Sequence, residues 1–170
     1  LSGRLVSDPA YHDVPRKFNL AIDSGGQAPV MEGSNDIGAR AVSVDGKVFF
    51  RVALGGARPS NDLGVLVAPE HLVETLLAAI RVHNALRDRS NRLRARLKYL
   101  LESWTVDELR EKIESELPAG VPKPTPAPPC LEPGNDRDSE GHPQAGIFEQ
   151  KQRGFRYIGV AVPVGQITAD

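Results

Sequence analysis

Gly38-Ala39-Arg40-Ala41-Val42-Ser43-Val44-Asp45-Gly46-Lys47-Val48-Phe49-Phe50-Arg51-Val52-Ala53-Leu54 is the stretch that decides the fold class. Two β-rich runs, 38–44 and 47–54, flank Asp45-Gly46. Asp-Gly readily takes the positive φ that a two-residue turn requires, so the stretch reads as an antiparallel hairpin. Gly55-Gly56 ends it. Upstream, Lys17-Phe18-Asn19-Leu20-Ala21-Ile22 alternates in character. Period two puts Phe18, Leu20 and Ile22 on one face and Lys17, Asn19 and Ala21 on the other, which predicts a strand at 17–22 with the first set toward the core. Ser24-Gly25-Gly26 breaks that strand.

Downstream the period changes. Pro69 suits a first helical turn, where its missing N–H costs nothing. Leu72, Val73, Leu76, Leu77 and Ile80 then recur at helical spacing, predicting a helix over 69–87. Leu93, Leu97, Leu100 and Leu101 predict a second over 91–103. Thr105 and Glu108 form a capping box, with Trp104 and Leu109 at the staple positions, and open a third helix over 105–117 that Pro118 stops. The expected fold class is α+β: a mixed, largely antiparallel sheet with helices on one face, followed by the first strand of a next domain.

From Pro118 to Pro133 there are seven prolines in sixteen residues, and the chain stays polar and Gly-rich to about Gln144. Such a tract cannot bury enough apolar surface to pack and is expected to be extended or disordered. Phe155 to Val164 reads as a strand. The expected domains are therefore 1–117, a linker at 118–146, and 147–170 as the start of a second half-domain.

A 40% hydrophobic, 25% charged composition is that of an ordinary globular protein, and a net charge of -1 marks no nucleic-acid or membrane binder. No apolar run is long enough to span a bilayer, and Leu1-Ser2-Gly3-Arg4, with no apolar stretch behind its charge, is not expected to be a signal peptide. The absence of an initiator Met leads us to expect that it begins inside a longer polypeptide. Cys130 is the one cysteine. It closes no internal disulfide and supplies no thiolate cluster, and sparse cysteine suits a reducing cytoplasm. His12, His71, His83 and His142 have no metal-ligand spacing.

Three constellations carry chemistry. Lys17 and Asn19 on one strand face lie about 6–7 Å apart along it. A compact cation beside a neutral donor suits an anion, and a solvated outer face gives the same pattern. From Arg81 to Lys98 the chain holds Arg81, Arg87, Arg89, Arg92, Arg94, Arg96 and Lys98 against Asp88. Arg92 and Arg96, one helical turn apart, fit carboxylates or phosphates, or a solvated helix face. Gly25-Gly26 and Gly55-Gly56 end adjacent strands, either as turns or to let backbone approach a flat ligand.

Particular strings go further. Val14-Pro15-Arg16-Lys17-Phe18-Asn19-Leu20-Ala21 resembles the "LPRKFN" segment of the nitrite/sulfite reductase hemoprotein family. Asn35-Asp36-Ile37-Gly38 looks like its "ND" segment, and Phe50-Arg51-Val52-Ala53-Leu54-Gly55-Gly56 is similar to its strand and glycine turn. Asn91-Arg92-Leu93-Arg94-Ala95-Arg96-Leu97-Lys98 looks like its "NR..ARLK" helix. Gln150 to Gly154 and Gly159 to Gly165 resemble the opening of its second half. Two departures stand out: Ala57 replaces a third glycine, and the proline-rich insert is longer than the family needs.

The resemblance implies a tandem-repeat enzyme that reduces nitrite to ammonia, or sulfite to sulfide, by six electrons. Its centre would be a siroheme bridged by a cysteine to a [4Fe-4S] cluster, with ferredoxin or a similar donor. The cluster's cysteines would lie in the rest of the polypeptide. The resemblance further implies Lys17 and Asn19 as substrate ligands and Arg16, Asn35, Gly55, Gly56, Arg92 and Arg96 as cofactor-binding residues. Family members acting on sulfite usually carry Lys-x-Lys, so Lys17-x-Asn19 points to nitrite. A sulfite reductase and a precorrin- or porphyrin-binding module without redox work are the competing readings. No resident metal ligand, nucleic acid or membrane is expected for this chain, and the expected location is cytoplasmic.

Overall fold

The computed structural model describes residues 1–24, 34–56, 61–128, 146–150 and 152–160. They fall into two compact units, Leu1–Pro129 and Cys130–Asp170.

The first unit is built on a three-stranded sheet ordered β1-β2-β3, with β1 Leu20–Asp23, β2 Ile37–Val44 and β3 Lys47–Leu54. β2 and β3 are the expected hairpin, paired from Val44↔Lys47 to Ile37↔Leu54. Asp45 and Gly46 both have positive φ, 50° and 73°, the signature of a type I′ turn. β1 runs parallel to β2, so the sheet is mixed. Ile37, Ala39, Val52 and Leu54 share one face and join one buried cluster with Leu72, Leu76, Leu77 and Ile80 of α2 Leu72–Leu86. On the opposite face Arg51 forms an ion pair with Asp62 at 3.0 Å. The α+β class with a mixed sheet stands.

α2 follows a 3-10 turn at Pro69–His71, as the proline predicts. α4 Val106–Ser115 begins with the complete capping box: Thr105 Oγ1 accepts from Glu108 N–H, and the Glu108 side chain accepts from Thr105 N–H. Leu109 and Ile113 are its buried stripe. A six-residue helix, α1 Ser2–Ser7, precedes the sheet and carries no buried residue, which is why no apolar periodicity announces it.

Two expectations need correction. The first strand is Leu20–Asp23, not 17–22; Lys17 lies in a bend and Asn19 precedes the strand. Within it Ala21 and Asp23 are buried while Ile22 is 36% exposed, because among the described residues β1 is an edge strand and Ile22 has a neighbouring strand on one side. The helix expected over 91–103 is instead a 3-10 turn, Arg92–Arg94, and a short α3, Leu97–Leu100. Asp88 Oδ1 accepts from the backbone of Ser90 and Asn91, and Asn91 Oδ1 accepts from Leu93 N–H. Such side-chain bonds offer the backbone an alternative to the helix, and Leu93 ends 85% exposed. Arg92 and Arg96 are thus not one turn apart on a continuous helix. The proline tract is extended in its described part, one of the two forms expected: β5 Thr125–Pro126 pairs with β4 Val65–Leu66, and Ala127 N–H donates to Gly64 O at 2.8 Å. An edge pairing satisfies the backbone where the tract has no core of its own.

The second unit contains a hairpin of β6 Gly146–Glu149 and β7 Arg156–Gly159. Phe148 stacks on Tyr157 with centroids 5.0 Å apart. The strand expected over 155–164 is β7 in its described part; β6 is too short to show alternation. Gly25-Gly26, Cys130, His142 and residues 161–170 lie outside the described residues.

Candidate anion and cofactor site

Asp36 sits directly before β2 and is 1% exposed, an expensive place for a carboxylate without partners. Every oxygen is accounted for. Oδ1 accepts from Arg96 Nε at 3.1 Å, and Oδ2 accepts from Arg96 Nη2 at 3.0 Å and from Asn19 N–H at 3.0 Å. The Asp36 carbonyl accepts from Gly55 N–H at 2.7 Å, and Asp36 N–H donates to Asn19 O at 2.9 Å. The guanidinium fork meets the carboxylate side-on, and the Asp36 hydrogen bond raises the already high pKa of Arg96.

Gly55 tightens the same junction. Its φ is +66°, and a Cβ there would lie 2.6 Å from Leu101 Cδ1 and 3.0 Å from Lys98 Cα. The glycine admits the backbone of α3 rather than leaving open space of its own. Four segments distant in sequence therefore converge: the run ending at Asn19, Asn35-Asp36, Gly55-Gly56, and Arg96 to Leu101.

The expected site residues are placed as follows. Asn19, Gly55 and Arg96 belong to the junction directly, and Asn35 and Gly56 adjoin it in the chain. Arg16 and Lys17 are exposed on the bend leading into it. Arg92 is exposed in the 3-10 turn. Arg81, Arg87, Arg89, Arg94 and Arg110 are all tied to carboxylates, whereas among the described residues no carboxylate engages Arg16, Lys17 or Arg92. With Lys98, whose ammonium lies over the Tyr99 ring at 4.8 Å, they are the described cations in or near these segments that no carboxylate engages. Beside it, Arg87, Arg94, Arg96, Tyr99, Ser103 and Trp104 line a polar cleft of about 210 Å³.

Sequence reading quoted Asp36 but bet on its neighbour Asn35. No local signal marked Asp36: its burial at 1% and its pairing with Arg96 are set by the tertiary structure.

His83, on α2, is 1% exposed; its Nε2 lies 3.0 Å from Ala95 O and its ring 5.0 Å from that of Phe18. Burial holds its pKa below the usual imidazole range, opposed by the Ala95 carbonyl. With the folded pKa depressed, the unfolded chain binds the extra proton, so this contribution to stability is complete above pH about 6.5 and is lost as pH falls below it. Denaturant titrations from pH 7 to 5.5 should show that decline, and His83→Gln should flatten it. An equal slope in both proteins would mean that His83 is not the titrating group.

The sequence model described as "Nitrite and sulphite reductase 4Fe-4S domain" matches residues 1–120. The chain belongs to that family. It is 32% identical over 168 residues to a ferredoxin–nitrite reductase of Leptolyngbya laminosa, covering 95% of this chain and 32% of the relative. An assimilatory ferredoxin-dependent nitrite reductase of Haloferax mediterranei is 29% identical over 188 residues, with 97% and 30% coverage. Among solved structures, the NirA protein of Mycobacterium tuberculosis superposes with a TM-score of 0.60 at 27% identity, covering 72% of this chain and 23% of that one. The chain thus spans about a third of the length of these curated relatives. The matched residues 1–120 contain no cysteine and the whole chain has one, Cys130, whereas a four-iron cluster takes four thiolates, so this chain's own residues do not fit that cluster. Among the described residues no group of His, Cys, Asp and Glu is placed to hold a metal, and no helix is long and apolar enough to cross a membrane.

Proposed function

We propose that this domain forms part of a siroheme-dependent nitrite reductase that carries nitrite to ammonia with six electrons from a ferredoxin-type donor. The observation that carries the reading is the junction at Asp36. The segments that resemble the family's cofactor and substrate motifs are far apart in sequence, and they meet there beside uncompensated cations. A siroheme bears eight carboxylates and cannot be buried without several cations, a demand that Arg16 and Arg92 fit. Lys17 supplies charge for the substrate anion, and Asn19 supplies a donor. When bound, siroheme supplies the iron at which the anion is reduced; the cluster that feeds it belongs to cysteines elsewhere in the polypeptide. The ferredoxin–nitrite reductases among the relatives favour nitrite over sulfite and over a porphyrin-binding module without redox work. The proposed location is cytoplasmic.

Reduced viologen is the donor for the test. The complete polypeptide should form ammonia from nitrite, consume six electrons per nitrite and show siroheme absorption. The 170-residue chain alone should turn over neither nitrite nor sulfite. Absence of siroheme bands from the complete polypeptide would sink the reading, as would turnover by the chain alone.

A further inference from the structure

We infer that Asp36 is a positioning residue that sets the anion-binding segment, and that Arg96 acts through it rather than on the cofactor. The inference rests on the anion-site reading above and deepens it.

Lys17, in a bend, and Asn19, just before β1, are exposed side chains outside regular structure. A flexible ammonium binds a small anion well only if the backbone beneath it is fixed. Asn19 is where that backbone enters the sheet, one residue before β1, and three hydrogen bonds hold it there. Asn19 N–H donates to Asp36 Oδ2 at 3.0 Å, while Asn19 O accepts from Asp36 N–H at 2.9 Å and Ile37 N–H at 3.2 Å. Phe18 anchors the segment by packing its ring 5.0 Å from that of His83, and the Asp36 carboxylate is the side chain that hydrogen-bonds the Asn19 backbone.

A carboxylate next to an anion site would repel the anion unless its charge were balanced. Arg96 balances it through both carboxylate oxygens. The pair is neutral as a unit, so it does not cancel the charge that Lys17 offers the substrate. It also engages the Arg96 fork from within the protein.

The test uses nitrite kinetics of the complete enzyme with reduced viologen. Asp36→Ala should raise KM for nitrite about tenfold, and Asp36→Asn, which restores a neutral acceptor for Asn19 N–H, should recover most of it. Ile113→Val, a core change on α4, should leave KM at the wild-type value. In a Lys17→Ala background Asp36→Ala should add nothing, because both act through one contact. Amide exchange at Asn19, read without turnover, should quicken in Asp36→Ala and slow again in Asp36→Asn. An unchanged KM in Asp36→Ala beside an impaired Lys17→Ala overturns the positioning role alone. So does a full multiplication of the two effects. An unchanged KM in Lys17→Ala overturns the anion-site reading and the positioning role with it.

Discussion

Gly55→Ala should destabilise the fold by about 2–4 kcal/mol, against about 1 kcal/mol for Gly46→Ala. The two glycines have similar backbone conformations, with φ +66° at Gly55 and +73° at Gly46. Each substitution therefore carries a similar left-handed strain, about 1–2 kcal/mol for an L residue. They differ in surroundings. Nothing lies within 4 Å of a Cβ at Gly46, while one at Gly55 meets Leu101 Cδ1 at 2.6 Å and the Lys98 Cα at 3.0 Å. Leu101 can rotate away, but Lys98 contributes backbone, and moving it drags α3 and Arg96 from Asp36. The difference between the two variants isolates the steric part. Urea midpoints measured side by side give that difference; equal losses would show that α3 does not pack on the glycine turn.

Asn19→Lys in the complete enzyme should shift the ratio of specificity constants toward sulfite by on the order of ten- to hundredfold. Sulfite is largely dianionic near neutral pH and nitrite is a monoanion, so an added cation attracts the first more strongly by one unit charge. That extra attraction runs from about 1 kcal/mol in water to about 4 kcal/mol at a protein surface for a separation of about 4 Å. The substitution is well suited to the question, because Asn19 is held by its backbone and its side chain is exposed. A lysine can replace it without breaking the grip of Asp36. The wild type should prefer nitrite. A wild type that favours sulfite, or a ratio that does not move, would show that position 19 does not set the choice.

The hairpin was legible because its determinants are local. Asp45-Gly46 dictates the turn, and the strands on either side follow from alternation. The capping box of Thr105 and Glu108 was legible for the same reason: donor and acceptor lie three residues apart, and both bonds form as read. The basic stretch was misread where local polar bonds competed with a helical pattern. Leucines at 93, 97, 100 and 101 satisfy a helix, but Asp88 and Asn91 capture backbone donors first. The site was legible as a set of motifs and not as an arrangement.

By itself, then, the sequence determined the hairpin and its turn, the helices α2 and α4, and the family, because each rests on residues close together or on strings that can be compared. The convergence of Asn19, Asp36, Gly55 and Arg96 was decided by tertiary structure alone. A buried carboxylate must be neutralised, and its cation here comes from 60 residues away. No local pattern specifies which of many arginines that will be.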